Sequence, residues 1–141
     1  MTYILDTNVV SDGIKPRPHE ALAQWIARRT DSELFLSVVS IGEIKRGILE
    51  LSAGRKRQAL EQWYAGPDGP RSMFGQRILP FDDRAAEAWA DVMADGRRLG
   101  KPRNAIDMMI AATAIANGLT VVSMNQRDFE GVVAVVNPSR L

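Results

Sequence analysis

Short apolar runs that suit β-strands alternate along this chain with segments of helical periodicity, and that alternation limits the fold more than any other feature. Tyr3-Ile4-Leu5 reads as a short buried strand, and Ala21, Leu22, Trp25 and Ile26 then recur at helical spacing. Glu33–Leu36 reads as a second strand, followed by a helix carrying Val38, Ile41, Ile44, Ile48 and Leu51. Gly54–Tyr64 predicts another helix, which must end before the turn cluster Gly66-Pro67-Asp68-Gly69-Pro70. Ile78-Leu79-Pro80-Phe81 reads as a strand whose proline favours a sheet edge. Asp82-Asp83 opens a helix through Ala86, Trp89, Val92 and Met93 that ends at Gly100, and Asn104 caps the apolar segment Ala105–Ala116, stopped by Asn117-Gly118. Leu119–Ser123 and Val132–Val136 are the last strands expected. Alternation of this kind predicts an α/β fold, one domain over residues 1–141, with a mainly parallel sheet of four or five strands between two helical layers.

Composition narrows the chemistry. The chain has no cysteine and one histidine, His19, which excludes disulfides, thiolate zinc sites and multi-histidine metal cages; any metal must be held by oxygen. Its net charge of +1 favours no class of partner. No basic region followed by a long apolar one opens the sequence, and Met108–Ala116, the longest nearly apolar run, is far short of the ~20 residues that span a bilayer. A soluble, cytoplasmic protein is expected.

Three acids stand out. Asp6 ends the first apolar run, at the carboxyl edge where ligands collect in open parallel sheets. Glu43 lies on the helix after the second strand, on a stripe shared with Ser40, Gly47 and Glu50. Asp107 is the one charge between Asn104 and Asn117. Each has an ordinary explanation: Asp6 and Asp107 as helix caps, Glu43 as a solvated acid or an ion-pair partner of Arg46. Together they can converge at one edge, and a carboxylate cluster without a shared positive charge is stable mainly around a divalent cation. Mg²⁺ or Mn²⁺ suits such ligands and such ions assist phosphodiester hydrolysis.

The segments LDTNVVS (5–11), SVVSIGEIKRG (37–47), IDMMIAATA (106–114) and TVVSMNQRDF (120–129) together resemble the PIN domain, and more narrowly the VapC-type toxins of type II toxin–antitoxin modules, including the FitB-like branch. The resemblance implies a metal-dependent endoribonuclease that cuts RNA with water and no covalent intermediate. It implies that Asp6, Glu43 and Asp107 bind Mg²⁺ or Mn²⁺, with Thr7 and Asn8 as a polar flank. Where relatives often carry a fourth acid this chain has Asn125, which offers a carbonyl but no charge and so counts against a second metal; Asp128, three residues on, is an outer-shell acid or a loop cap. A homodimer held inactive by a cognate VapB-like antitoxin, as a heterotetramer or larger assembly, is implied as well. Surplus apolar residues for such partners are Ile48, Leu51, Leu60, Trp63 and Tyr64.

Among the basic segments, Lys45, Arg46 and Lys101 flank the acids and are the candidate RNA contacts; Arg28-Arg29, Arg55–Arg57, Arg97-Arg98 and Arg103 read first as solvated faces. Trp25, Trp63 and Trp89 read as core or interface. An aspartyl phosphatase of the haloacid-dehalogenase type also starts with Asp after its first strand, but it needs a second Asp where this chain has Asn8. Two further alternatives are a PIN-like module that binds RNA or antitoxin without cleaving, and a PIN nuclease outside any toxin–antitoxin pair.

Overall fold

The computed structural model describes residues 1–141. Five strands, β1 (Tyr3–Leu5), β2 (Leu34–Ser37), β3 (Ile78–Leu79), β4 (Thr120–Val122) and β5 (Val135–Val136), form one sheet in the order β3-β2-β1-β4-β5. Every pairing is parallel, so each connection crosses a face of the sheet; β4 reaches β5 through a 3₁₀ turn, Gln126–Asp128, and the other three connections carry helices. These are α1 (Thr7–Asp12), α2 (Glu20–Ala27), α3 (Val38–Leu49), α4 (Arg55–Ala65), α5 (Pro70–Phe74), α6 (Asp83–Arg98) and α7 (Ala105–Asn117).

The strand pleat sorts the apolar residues into two cores, which produces the three layers. Tyr3, Leu5, Leu34, Leu36 and Val122 face one side, against Val9, Leu22, Trp25 and Ile41. Ile4 and Val121 face the other, against Met108, Ile110, Ala111 and Ala114 of α7, with Val92 of α6 and the fully buried Phe129. Small residues on α7 let it lie close to the sheet and to α6. Its ends are fixed by local chemistry: the Asn104 side chain accepts from the N–H groups of Ile106 and Asp107, and Gly118 closes the helix at φ 66°.

The expected strand at 78–81 shrinks to Ile78–Leu79, and its edge position follows from Pro80, which has no N–H to donate outward. Val132–Val136 is not a full strand: only Val135 and Val136 pair with β4, because Glu130, Gly131 and Val132 are still turning. The 33–36 strand begins at Leu34, since Glu33 closes a 3₁₀ turn capped by Thr30. Gly100 ends the helix as expected: α6 closes at Arg98 and Leu99, and Gly100 follows at φ 68° with its own N–H and that of Lys101 bonded back to Arg97 and Gly96. Between the turn cluster and β3 the chain is not irregular, as Pro70 occupies the first turn of α5 and a 3₁₀ turn, Gly75–Arg77, follows. Trp25 is core, as expected, and packs edge-on to Tyr3 with ring centroids 4.8 Å apart. Ile48 is buried within the chain, so it is not surplus; the neighbouring Leu49, 51% exposed, is the free apolar side chain there. No helix is long and apolar enough to cross a membrane.

Candidate active site

At β1 the direction of strand succession reverses: β2 and β3 lie on one side of it and β4 and β5 on the other. Beyond the carboxyl ends of strands at such a reversal there is a crevice, because the flanking helices leave on opposite faces. Asp6 follows β1 directly and is 4% exposed. Glu43 projects from α3, which starts from the end of β2, and Asp107 from the first turn of α7. Asp128 lies in the 3₁₀ turn after β4.

Asp6 is the N-cap residue of α1 by position, yet its carboxylate makes no cap hydrogen bond. It accepts instead from the buried Ser123 hydroxyl, Oγ to Oδ2 at 2.9 Å. Register explains this contact, for Leu5 lies beside Val122 in the parallel ladder, and the next residues are Asp6 and Ser123. Ser123 Oγ also accepts from the Asn125 N–H at 3.0 Å, tying the loop after β4 to the acid. Sequence reading missed Ser123; the usable signal was the pairing of β1 with β4, which places the two residues side by side.

Glu43 is not paired with Arg46, whose guanidinium reaches one turn along α3 to Glu50 at 3.3 Å. Its Oε1 lies 2.6 Å from the Thr7 hydroxyl, which is 2.8 Å from the buried Ser40 Oγ. Having one proton, the Thr7 hydroxyl donates to the carboxylate, the stronger acceptor, and receives from Ser40. Thr7 therefore aims Glu43. Asn8 is exposed on α1. Asp107 occupies the third helical position as expected, but only Asn104 acts as the cap and the Asp107 carboxylate is left without a donor.

The four acids sense each other. Burial is the main reason Asp6 has a raised pKa; the Ser123 and Thr7 hydrogen bonds oppose it, and the charges of Glu43 and Asp128 add to it. Asp107 is pushed up to about 6, first by burial and then by Asp6, Asp128 and Glu43. None of the four takes part in an ion pair; those of the chain are Lys15–Asp12, Arg46–Glu50, Arg57–Glu61 and Arg98–Asp95.

The basic candidates separate. Lys45 stacks over Tyr64 at 5.3 Å from the ring centroid, lining a groove between α3 and α4 with Ile48 and Leu49. Two residues from Glu43 is about 200° around a helix, which turns Lys45 away from the acids. Lys101 lines the cleft that contains Asp107 and Asp128. Arg29 lies over the Trp25 ring at 4.4 Å and is part of the packing of α2 rather than an open phosphate contact.

The PIN domain profile matches residues 3–134. The chain belongs to the PIN domain family. It is 34% identical over 136 residues to VapC ribonuclease Y4jK of Sinorhizobium fredii and 34% identical over 136 residues to Toxin FitB of Neisseria gonorrhoeae, covering 96% of this chain and 96% of each relative. Among solved structures, FitAcB from Neisseria gonorrhoeae superposes with a TM-score of 0.91 at 33% identity, over 99% of this chain and 100% of that one. The five-stranded parallel sheet and its helices are thus the PIN architecture.

Proposed function

We propose that this PIN domain is a metal-dependent endoribonuclease, the toxin of a toxin–antitoxin module. One observation carries the chemistry: Asp6, Glu43, Asp107 and Asp128 are drawn from four places in the chain to one sheet edge, and no lysine or arginine pairs with any of them. Relatives along nearly the whole chain named as a ribonuclease and a toxin support the same reading.

A divalent cation fits these residues. The donors are carboxylate, hydroxyl and amide oxygens, and burial together with the charges of Asp6, Asp128 and Glu43 holds Asp107 near 6, a condition a cation relieves. No three of the carboxylates stand at direct-ligand spacing, so a cation here would be bound directly by one or two of them and by the rest through its waters. Asp6, Asp107 and Glu43 would hold Mg²⁺ or Mn²⁺. The ion, when bound, supplies a water of lowered pKa and neutralises charge on a phosphodiester. Ser123 fixes the Asp6 carboxylate and Thr7 fixes that of Glu43, so neither turns away from the crevice. Asn125, held through its N–H by Ser123, and Asp128 stand at the rim as partners for water or substrate.

The antitoxin reading is supported by the groove between α3 and α4, where Leu49 and Tyr64 present apolar surface beside Lys45 and Arg57. An amphipathic helix with its apolar face on Leu49 and Tyr64 suits that lining. Cleavage of total cellular RNA by the purified protein with Mg²⁺, with Mn²⁺ and with chelator tests the nuclease, beside folded Asp6→Asn and Asp107→Asn variants. Discrete metal-dependent products that vanish in both variants are expected. Activity surviving in both rejects the site, and absence of both cleavage and metal binding favours a module that binds without cutting.

A further inference from the structure

The cleft beside Asp107, about 350 Å³ in volume, is walled by two segments: the connection from Leu99 to Asn104 ahead of α7, and the turn from Arg127 to Val132 after β4. Lys101 stands on the first wall and Arg127 on the second. Both are exposed, and neither takes part in any of the four ion pairs of the chain. Arg103, the third cation of the cleft, is differently engaged. Its Nη1 donates to the Val92 carbonyl at 2.7 Å, and its stem passes so close to Gly96 that a Cβ there would lie 2.8 Å from Cδ. Arg103 thus ties the Lys101 wall to α6. Past Arg127 and Asp128 the surface falls into a second hollow lined by Asn125, Gln126 and Arg140.

The resulting charge pattern is negative at the centre, around Asp107 and Asp128, with one unpaired cation on each wall, Lys101 on the first and Arg127 on the second, where Glu130 also lines the cleft. A nucleic-acid strand cannot be held by the acids themselves, so its attraction to the crevice must come from phosphates that lie to either side of them. We propose that Lys101 and Arg127 clamp the phosphates flanking the scissile one, with Arg103 acting as the positioning residue that keeps the Lys101 wall in place. The clamp rests on the nuclease reading above and names how that site holds its RNA.

The test is binding without cleavage. A fluorescently labelled 2′-O-methyl RNA oligonucleotide is titrated in chelator with the wild-type protein, Lys101→Ala, Arg127→Ala, the double variant and Arg84→Ala, over a range of salt. Each single alanine is expected to weaken binding and to flatten the dependence of log K on log salt by about 0.7, the value for one phosphate on a single strand, and the losses add in the double variant. Arg84→Ala leaves the slope unchanged and Arg127→Lys restores it. The loss is equal for two oligonucleotides of unrelated sequence, since phosphates carry no base identity. An unchanged slope in either single variant, or a loss that depends on sequence, overturns the clamp. Metal-dependent cleavage by the wild type reports separately on the nuclease: cleavage with unchanged slopes defeats the clamp alone, and slope losses without any cleavage defeat the nuclease reading alone.

Discussion

Asp107→Asn should stabilise the metal-free protein while removing its activity. Asp107 has a folded pKa of about 6 against an ordinary value of 3.8 because burial and the charges of Asp6, Asp128 and Glu43 all oppose its ionisation. At ~1.4 kcal/mol per pK unit that displacement corresponds to about 3 kcal/mol. The carboxyl is partly exposed, and solvent screening reduces this to about 1–2 kcal/mol. The sign follows from linkage: with its pKa raised on folding, Asp107 favours the native state fully below pH 3.8 and loses that contribution as the pH rises through about 6. Asparagine has no such dependence, so in chelator at pH 8 the variant should melt ~3–8 °C above wild type, a gain that shrinks to nothing by about pH 4. Added Mg²⁺ should raise the melting temperature of wild type more than that of the variant. A variant that melts below wild type at pH 8, or a gain that persists at pH 4, would refute the view that Asp107 is an uncompensated acid.

Ser123→Ala removes the one side-chain donor to buried Asp6, so the Asp6 pKa rises further and the acid limb of the cleavage pH profile moves to higher pH; chemical denaturation should show a loss of about 1–3 kcal/mol. Thr7→Val preserves shape but frees Glu43, and kcat should fall with KM little changed, as steady-state kinetics on a defined RNA will show. Gly69→Ala would place a Cβ 2.3 Å from the Tyr64 carbonyl oxygen, forcing α4 and α5 apart; a loss of about 1–3 kcal/mol is expected in thermal unfolding, with cleavage unchanged where the protein is still folded.

Most of the architecture could be read from the chain because strand and helix periodicities are clean and the punctuation is strong, as at Pro80, Asn104 and Gly118. The acids were legible for the same reason: Asp107 is conspicuous in an apolar helix and Asp6 at a strand end. What escaped depended on partners distant in sequence. Ser123 looks like any small polar residue until β4 is known to lie beside β1, which puts it 117 residues away from Asp6 in sequence and 2.9 Å in space. Arg103 reads as a surface cation until Gly96 opens room for its stem. Lys45 is two residues from Glu43 along the chain yet about 200° from it around α3, and α5 was hidden because Pro70 belongs equally to a turn and to a helix start.

The small side chains of α7 also bear on how this protein can change. Ala111, Ala112 and Ala114 are wholly buried, and the same helix presents Asp107 at its other end. Helices move as rods more readily than they bend, so a bulkier residue at Ala114, two turns or about 10 Å along the axis from Asp107, displaces the carboxylate as well as the packing. Substitutions that look purely internal will therefore register first in the crevice. For this chain, drift in the core and drift in activity are one variable, and variants selected for toxicity should keep the alanines of α7 as strictly as the acid they carry.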